Sequence, residues 1–283
     1  MKSFYQNWIL DYELPLVIHH GHNLTFYAHY HSEIEFIYVE SGSILVGVNE
    51  EKRLLTQGDM VICCSNDIHH FESKEDSQVI ILIFKPEMIS LSVNWPNDFS
   101  FVSPFMPGGD PAFKHIRQLL YDIMEEKENA KPGHQMFIKA RLLELCGTLQ
   151  RSWPSHRLSR SSRSKLESKR VRIQQILSFI EENYQDDLSV ELISTHFQME
   201  PSYFCRTFKS AVGMNFRTYL NTIRVLKAER KLISSDASIM DIALECGFNS
   251  IRTFNRVYKE LKGCVPSSSR DGVSNAALPV HQI

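Results

Sequence analysis

The sequence predicts two domains: an all-β barrel with appended helices, followed by an all-α domain built on a helix-turn-helix that occurs twice. Three observations carry this reading. Short β-rich runs punctuated by turn signals fill Leu14 to Lys85, whereas helical periodicity resumes at Val171 and holds to about Leu261. Charge is segregated in the same way: residues 1–150 hold 11 Lys+Arg against 20 Asp+Glu, net −9, and residues 151–283 hold 20 against 13, net +7. A basic half joined to an acidic half suggests different partners, the basic one suited to phosphate backbones.

Composition excludes several classes. With 43% hydrophobic and 23% charged residues, the chain is globular and not dominated by disorder. No apolar run approaches the roughly 18 residues of a membrane span, and Met1 to Leu10 lacks the basic-then-apolar layout of a signal peptide, so a cytoplasmic protein without membrane contact is expected. The six cysteines show no CxxC pairing, which suits reduced thiols.

In chain order, strands are expected at Leu14–Ile18, Leu24–Tyr30, Ile34–Glu40, Ile44–Val48, Met60–Cys63 and Gln78–Lys85, broken by Gly21-His22-Asn23, Glu40-Ser41-Gly42 and Gln57-Gly58-Asp59. A loop from Trp95 to Pro111 follows, then helices at about 112–129 and 134–151. In the second helix Phe137, Leu142, Leu145 and Leu149 recur near helical spacing, a stripe that must pack on the barrel or on another subunit; a dimer contact is preferred. Domain one thus spans 1–151. Residues 152–170, rich in Ser and Arg and nearly devoid of apolar residues, read as a flexible linker whose Arg157, Arg160, Arg163 and Lys165 are either solvated or near DNA. Residues 171–271 form the second domain and 272–283 a frayed tail.

Within that second domain the chain matches itself at an offset of 50 residues. Leu192 pairs with Ile242, Phe204 with Phe254, Arg206 with Arg256, Phe208 with Tyr258, Lys209 with Lys259 and Gly213 with Gly263. Each copy, about 189–211 and 239–261, reads as a short helix, a tight turn and a second helix. Gly247 supplies a permissive backbone in the second turn, Ser250 is placed to cap the helix after it, and Pro201 suits the first helical position of its counterpart. The aromatic pairs anchor each second helix, leaving Ser202, Cys205, Arg206 and Lys209 outward in one copy and Arg252, Asn255, Arg256 and Lys259 in the other. Between the copies, Phe216 to Ile233 reads as one helix about 27 Å long. That is near the 34 Å or so of one duplex turn, so two recognition helices could enter successive major-groove segments.

These residues resemble the DNA-binding domain of the AraC/XylS family of transcription regulators over about residues 171–270. The match runs through Pro201-Ser202-Tyr203-Phe204-Cys205-Arg206-Thr207-Phe208-Lys209, Gly213-Met214, Tyr219-Leu220, Arg224, Ala228, Leu232, Ser238 to Phe248, Phe254-Asn255-Arg256-Val257-Tyr258-Lys259, Gly263 and Pro266. Two departures stand out: Glu200 replaces the usual Ser before Pro201, a poorer cap, and Ser269 replaces an aromatic before Arg270, implying a looser last turn. The resemblance places base reading at Ser202, Cys205 and Arg206 and at Arg252, Asn255 and Arg256, where arginine suits guanine and asparagine adenine.

In the front half, His29-Tyr30-His31, then Glu35 and Gly42, and later Gly58-Asp59 and His69, resemble the two cupin motifs, whose three His and one Glu converge inside a small barrel. Imidazoles with one carboxylate suit a divalent Zn, Fe, Mn or Ni ion. Related regulators carry a similar barrel as a sensor, which favours a metal-free effector pocket at His29, His31, Glu35 and His69 and leaves metal as the alternative. Cys64 and Asn66 fill the second motif's usual Pro and Gly positions, and His70 is expected to face outward. The expected function is a promoter-binding regulator that is not an enzyme. It answers a small molecule, with a sugar or related carbon source implied by the resemblance, and acts as a homodimeric activator touching RNA polymerase. The alternative, a cupin metalloenzyme such as an isomerase or dioxygenase, leaves the duplicated helix-turn-helix unused.

Overall fold

The computed structural model describes residue 10 and residues 13–73, 76–89, 99–109, 112–157 and 159–270. They fall into two compact units divided between Val171 and Arg172. The expected tail 272–283 and parts of the Trp95–Pro111 loop lie outside the described residues.

The first unit is built around one long strand. β1 (Leu16–His22), β2 (Thr25–His29), β3 (Ile34–Val48), β4 (Glu51–Thr56), β5 (Met60–Cys63), β6 (His69–Glu72) and β7 (Ser77–Phe84) are joined by β8 (Phe99–Phe101), β9 (Phe105–Met106) and β10 (Ser155–Arg157). All pairings are antiparallel. The first half of β3 pairs with β5 and β7, its second half with β4 and β6, so this single strand turns the corner between two sheets. The two runs expected at 34–40 and 44–48 are therefore one strand that bends over Glu40–Gly42: its register against β7 shifts between Val39 and Ser41, and Gly42 takes φ +73°.

Side-chain alternation then sorts the apolar residues into two cores. Ile37, Val39, Val61, Val79, Ile81 and Ile83 point into the barrel with Ile44, Val46 and Phe71. Phe36, Tyr38, Met60, Ile62, Ile80, Leu82 and Phe84 point the other way, beneath α1 (Ala112–Asn129) and α2 (His134–Ser152). Being covered on both faces explains why Val79–Phe84 is an unbroken apolar run. Leu142, Leu145 and Leu149 of α2 are buried against this outer face, so most of the stripe read as a dimer contact packs within the chain; Phe137 stays exposed.

The stretch expected to be a flexible linker is ordered. β10 pairs with β8, Trp153 donates from Nε1 to the Ser103 carbonyl at 3.0 Å, and α3 runs from Arg160 to Glu182. Arg, Lys and Glu are good helix formers and neither Gly nor Pro interrupts residues 160–182, so low apolar content here marks a solvated helix.

The second unit holds the rest of α3 with α4 (Val190–His196), α5 (Pro201–Val212), α6 (Phe216–Ser234), α7 (Ile239–Glu245), α8 (Ile251–Lys262) and α9 (Pro266–Arg270). Most helix starts carry a side-chain cap: Ser189, Asn215 and Ser238 accept from the amides of Leu192, Thr218 and Asp241. The caps expected for α5 and α8 are exchanged. Ser250 makes no cap hydrogen bond, whereas the longer Glu200 reaches the Tyr203 amide at 2.8 Å. Ser269 likewise does not loosen the end of the fold: it is buried, and its hydroxyl hydrogen-bonds Tyr258 Oη at 2.8 Å. Arg224 ties α6 to the α3–α4 connection, donating to the carbonyls of Tyr184 at 2.8 Å and Asp186 at 2.7 Å. Gly247 sits against this joint with φ +83°, where a Cβ would come within 2.8 Å of two backbone oxygens.

Candidate functional sites: the duplicated helix face and the barrel cluster

α5 and α8 have the same length and, over their first ten residues, the same order of buried and exposed positions. Phe204, Thr207 and Phe208 in one, and Phe254, Val257 and Tyr258 in the other, face inward. The ring centroids of Phe204 and Phe208 are 5.5 Å apart and those of Phe254 and Tyr258 5.4 Å, with Phe216 or Phe248 completing each aromatic cluster. All eight residues placed on the outward faces by sequence, Ser202, Cys205, Arg206 and Lys209, and Arg252, Asn255, Arg256 and Lys259, are exposed. Both helices end on a left-handed glycine, Gly213 or Gly263, whose amide bonds the carbonyl of Lys209 or Lys259. Two outward residues have local partners: Arg256 pairs with Glu260 at 2.7 Å and Ser202 donates to Glu200. Exposed pairs of this kind cost little to open for another acceptor. The arrangement is two firmly cored helices presenting cationic and amide donors to solvent.

The barrel site lies at one end of β2, β3 and β6. His29 ends β2 opposite His69, which begins β6, and Glu35 is the second residue of β3. The chain leaves the sheet between Tyr30 and Ile34, so the two-residue spacing of His29 and His31 does not come from one continuous strand. The four side chains nevertheless converge: one donor atom from each lies within 4.8 Å of the others, and all are buried. Each imidazole is anchored by Nδ1 on a backbone carbonyl, His29 on Tyr27 at 2.9 Å, His31 on Glu33 at 3.2 Å and His69 on Asp67 at 2.8 Å. Their Nε2 atoms are left for the interior. His31 Nε2 bonds Glu35 Oε2 at 3.0 Å; His69 Nε2 lies 3.3 Å from the same oxygen but makes no hydrogen bond.

This donor set fits a divalent transition-metal ion. Three imidazoles oriented by carbonyls through their far nitrogens, one carboxylate and an orphaned buried Nε2 are the arrangement that metal ligation uses. Burial alone would push the Glu35 carboxyl up, but the His31 hydrogen bond and the nearby His69 hold it well below the usual carboxylate range. Burial, then His69 and His31, push His29 down and keep it neutral, the form that ligates. A bound ion would supply a positive centre that compensates the Glu35 charge and polarises any oxygen brought to it.

Sequence reasoning missed two participants and misplaced a third. Glu33 is buried with its carboxylate 3.6 Å from His31 Nδ1, and Asp67 holds His69 through its carbonyl. His70 turns away from the cluster as alternation requires, yet it is not in solvent: it is 7% exposed, its ring lying where a Cβ on Gly47 would be 1.9 Å from it. Burial, then Lys52 and His69, push it down to about 4. The folded chain therefore excludes a proton that the unfolded chain binds below about 6.5. The metal-free barrel unit is expected to lose stability as pH falls from about 6.5 towards 4, by roughly 3 kcal/mol from His70 alone. Urea midpoints followed by tryptophan fluorescence at pH 7.5 and 5.0 test this; equal midpoints would contradict it.

Comparison with known proteins agrees with the two-domain organisation. Residues 15–146 match the family model of the AraC-like ligand binding domain and residues 193–272 that of a helix-turn-helix domain. The HTH-type transcriptional activator RhaS of Pectobacterium carotovorum subsp. carotovorum (strain PC1) is 24% identical over 261 residues, 87% of this chain and 88% of its own. RhaR of Salmonella dublin, also an HTH-type transcriptional activator, is 23% identical over 259 residues, 87% of each chain. Among solved structures, ToxT from Vibrio cholerae strain SCE256 with bound unsaturated fatty acid is 14% identical with a TM-score of 0.45, covering 93% of this chain and 97% of its own. The DNA-binding domain of AdpA in complex with a target DNA is 28% identical with a TM-score of 0.35, covering 36% and 91%. With a ligand-binding barrel of the AraC type followed by its paired helix-turn-helix units, the chain belongs to the AraC/XylS family of DNA-binding transcription regulators.

Proposed function

We propose that this regulator activates transcription in response to a small molecule, reading promoter DNA with α5 and α8. The observation that carries the reading is the pairing of matching buried scaffolds with exposed, basic and unlike outer faces. Arg206, Arg252, Asn255 and Arg256 contact base edges, and Lys209 and Lys259 contact phosphates. Ser202 and Cys205 add polar and apolar contacts. The resemblance to sugar-responsive members of the family supports a sugar or related carbon source as effector, bound in the barrel at or beside His29, His31, Glu35 and His69.

The outer side of α2 supports a homodimer. Met136, Ala140 and Leu143 are exposed along one line, and Gly147 continues it with nothing within 4 Å of a Cβ placed there. A second copy of the same helix is the partner such a face fits. Activation proceeds through contact with RNA polymerase in the cytoplasm, as the activator names of the relatives suggest. A cupin metalloenzyme accounts for the four-donor cluster but gives the duplicated basic face no task.

Two variants divide the roles. Arg256→Ala is expected to relax preference at one base pair, by about 5- to 150-fold for 1–3 kcal/mol. Lys259→Ala is expected to weaken all sequences alike and reduce the salt slope by about 1. Gel shifts on promoter fragments across a salt series read both. Indistinguishable variants would remove the division, and no preference among fragments by the native chain would remove the reading.

A further inference from the structure

The barrel cluster is joined to α3 through one residue. Asp67 lies in the turn between β5 and β6 and is only 4% exposed. Its carbonyl accepts from His69 Nδ1, while its carboxylate accepts from Asn49 Nδ2, from the Cys64 amide and from the Arg170 guanidinium, each at 2.8 Å. The same turn is pinned to the other imidazole's segment, the Asn66 amide donating to the His31 carbonyl at 2.8 Å. Beside it, Lys169 pairs with Glu50 at 2.5 Å, so consecutive residues of α3 are held by two neighbouring barrel turns. Arg170 lies just ahead of the division between the two units, which falls inside α3.

We infer that Asp67 is the positioning residue that ties a divalent cation at His29, His31, Glu35 and His69 to helix α3. Its carbonyl sets the direction of His69 Nε2 and its carboxylate holds Arg170. An ion drawing on His69 strengthens the Nδ1–H bond to Asp67 and fixes the turn that carries the carboxylate. Ordering of the turn then orders the start of α3. By linkage, anything that orders α3 tightens the ion equally. The ion pair is a fitting intermediary because Asp67 is buried and multiply hydrogen-bonded, unlike the exposed pairs elsewhere on the surface. Only the last consequence, altered promoter affinity, rests on the regulatory reading above.

The test uses the full untagged chain stripped of metal, with Zn²⁺, Mn²⁺ and Ni²⁺ added singly, as wild type, Arg170→Ala and Asp67→Asn. Calorimetry gives stoichiometry, and amide hydrogen exchange over residues 160–171 reports α3 without any DNA. The wild type is expected to take one ion per chain and slow that exchange at least tenfold. Arg170→Ala is expected to bind the ion within about twofold of wild type while its α3 exchange no longer responds. Asp67→Asn also loses the response and weakens the ion by about tenfold, towards the low end for residues supporting a ligand. No ion on the wild type with any of the three metals, unchanged exchange on loading, or a response kept in Arg170→Ala would each overturn the inference. Promoter affinity measured with and without ion is a separate arm. A responding α3 with no preference among promoter fragments refutes the regulatory reading and leaves the coupling standing.

Discussion

Phe254→Ala lowers the stability of the helical unit by about 3–5 kcal/mol, the usual cost of emptying a fully buried ring. Phe254 is 0% exposed and lies 5.1 Å from Phe248 and 5.4 Å from Tyr258, ring centre to ring centre, in a cluster with Ala228, Leu232, Ile242 and Val257. The neighbours cannot close the gap cheaply. Phe248 follows Gly247, which is wedged against the carbonyls of Tyr184 and Gln185, so the turn cannot slide inward. Arg256, two residues along the same helix, is exposed, and Arg256→Ala leaves stability within about 0.5 kcal/mol. All three tryptophans precede residue 154 and none lies in the helical unit. Trp153, packed against the outer core of the barrel unit, reports that unit's unfolding in fluorescence, while ellipticity at 222 nm is weighted to the more numerous helices of the second unit. The expected result is an early loss of ellipticity in urea with the fluorescence transition in place. Equal midpoints for Phe254→Ala and wild type in both signals would show that this core does not hold α8.

Gly42→Ala acts on the other unit with an effect of similar size. A Cβ at residue 42 would lie 1.8 Å from the Asp76 carbonyl oxygen, which belongs to backbone and has no rotamer to change. The residue also sits at φ +73°, a region that costs a side chain about 1–2 kcal/mol before any contact is counted. Relief requires β3 and β7 to part at the Gly42–Ser77 pair, which is the bend that lets β3 serve both sheets. A loss of at least about 3 kcal/mol in the fluorescence-detected transition is expected, accompanied by the share of ellipticity carried by α1 and α2, while the larger share from the helical unit keeps its wild-type midpoint. A loss below 1 kcal/mol would mean that the bend is compliant.

Elements whose faces are both buried, or whose apolar stripe repeats cleanly, were readable from the chain alone. Val79–Phe84 stands out because nothing polar interrupts it, and the ends expected for α1 and α2 fall within a residue of those observed. β4 escaped notice because Glu51, Lys52 and Arg53 are exposed on an edge of the sheet, and β6 because His69 and His70 carry no strand signature. Residues 160–170 were misjudged for a different reason. Sparse apolar content separates buried from solvated segments but does not separate helix from coil. In the helical unit, the 50-residue repeat located both aromatic anchors and all eight outward residues, since burial there follows helical period. What a cap side chain bonds is decided by its reach and local torsion, and Glu200 and Ser250 exchanged their expected parts. In the barrel, motif spacing brought His29, His31, Glu35 and His69 together on the page as in space. Asp67 and Glu33 were invisible to it because their part is played through a carbonyl, which every residue owns, or through a loop whose path spacing does not encode.

The two matched helices share a skeleton but not an alphabet: serine, cysteine and arginine on one, arginine, asparagine and arginine on the other. A reader with unlike halves joined in fixed order gives its target an arrow, because reversing the duplex would set each half before the wrong bases. With bases read by α5 and α8 as proposed, one copy of this chain is enough to tell upstream from downstream, a distinction that two identical halves related by a twofold axis cannot make.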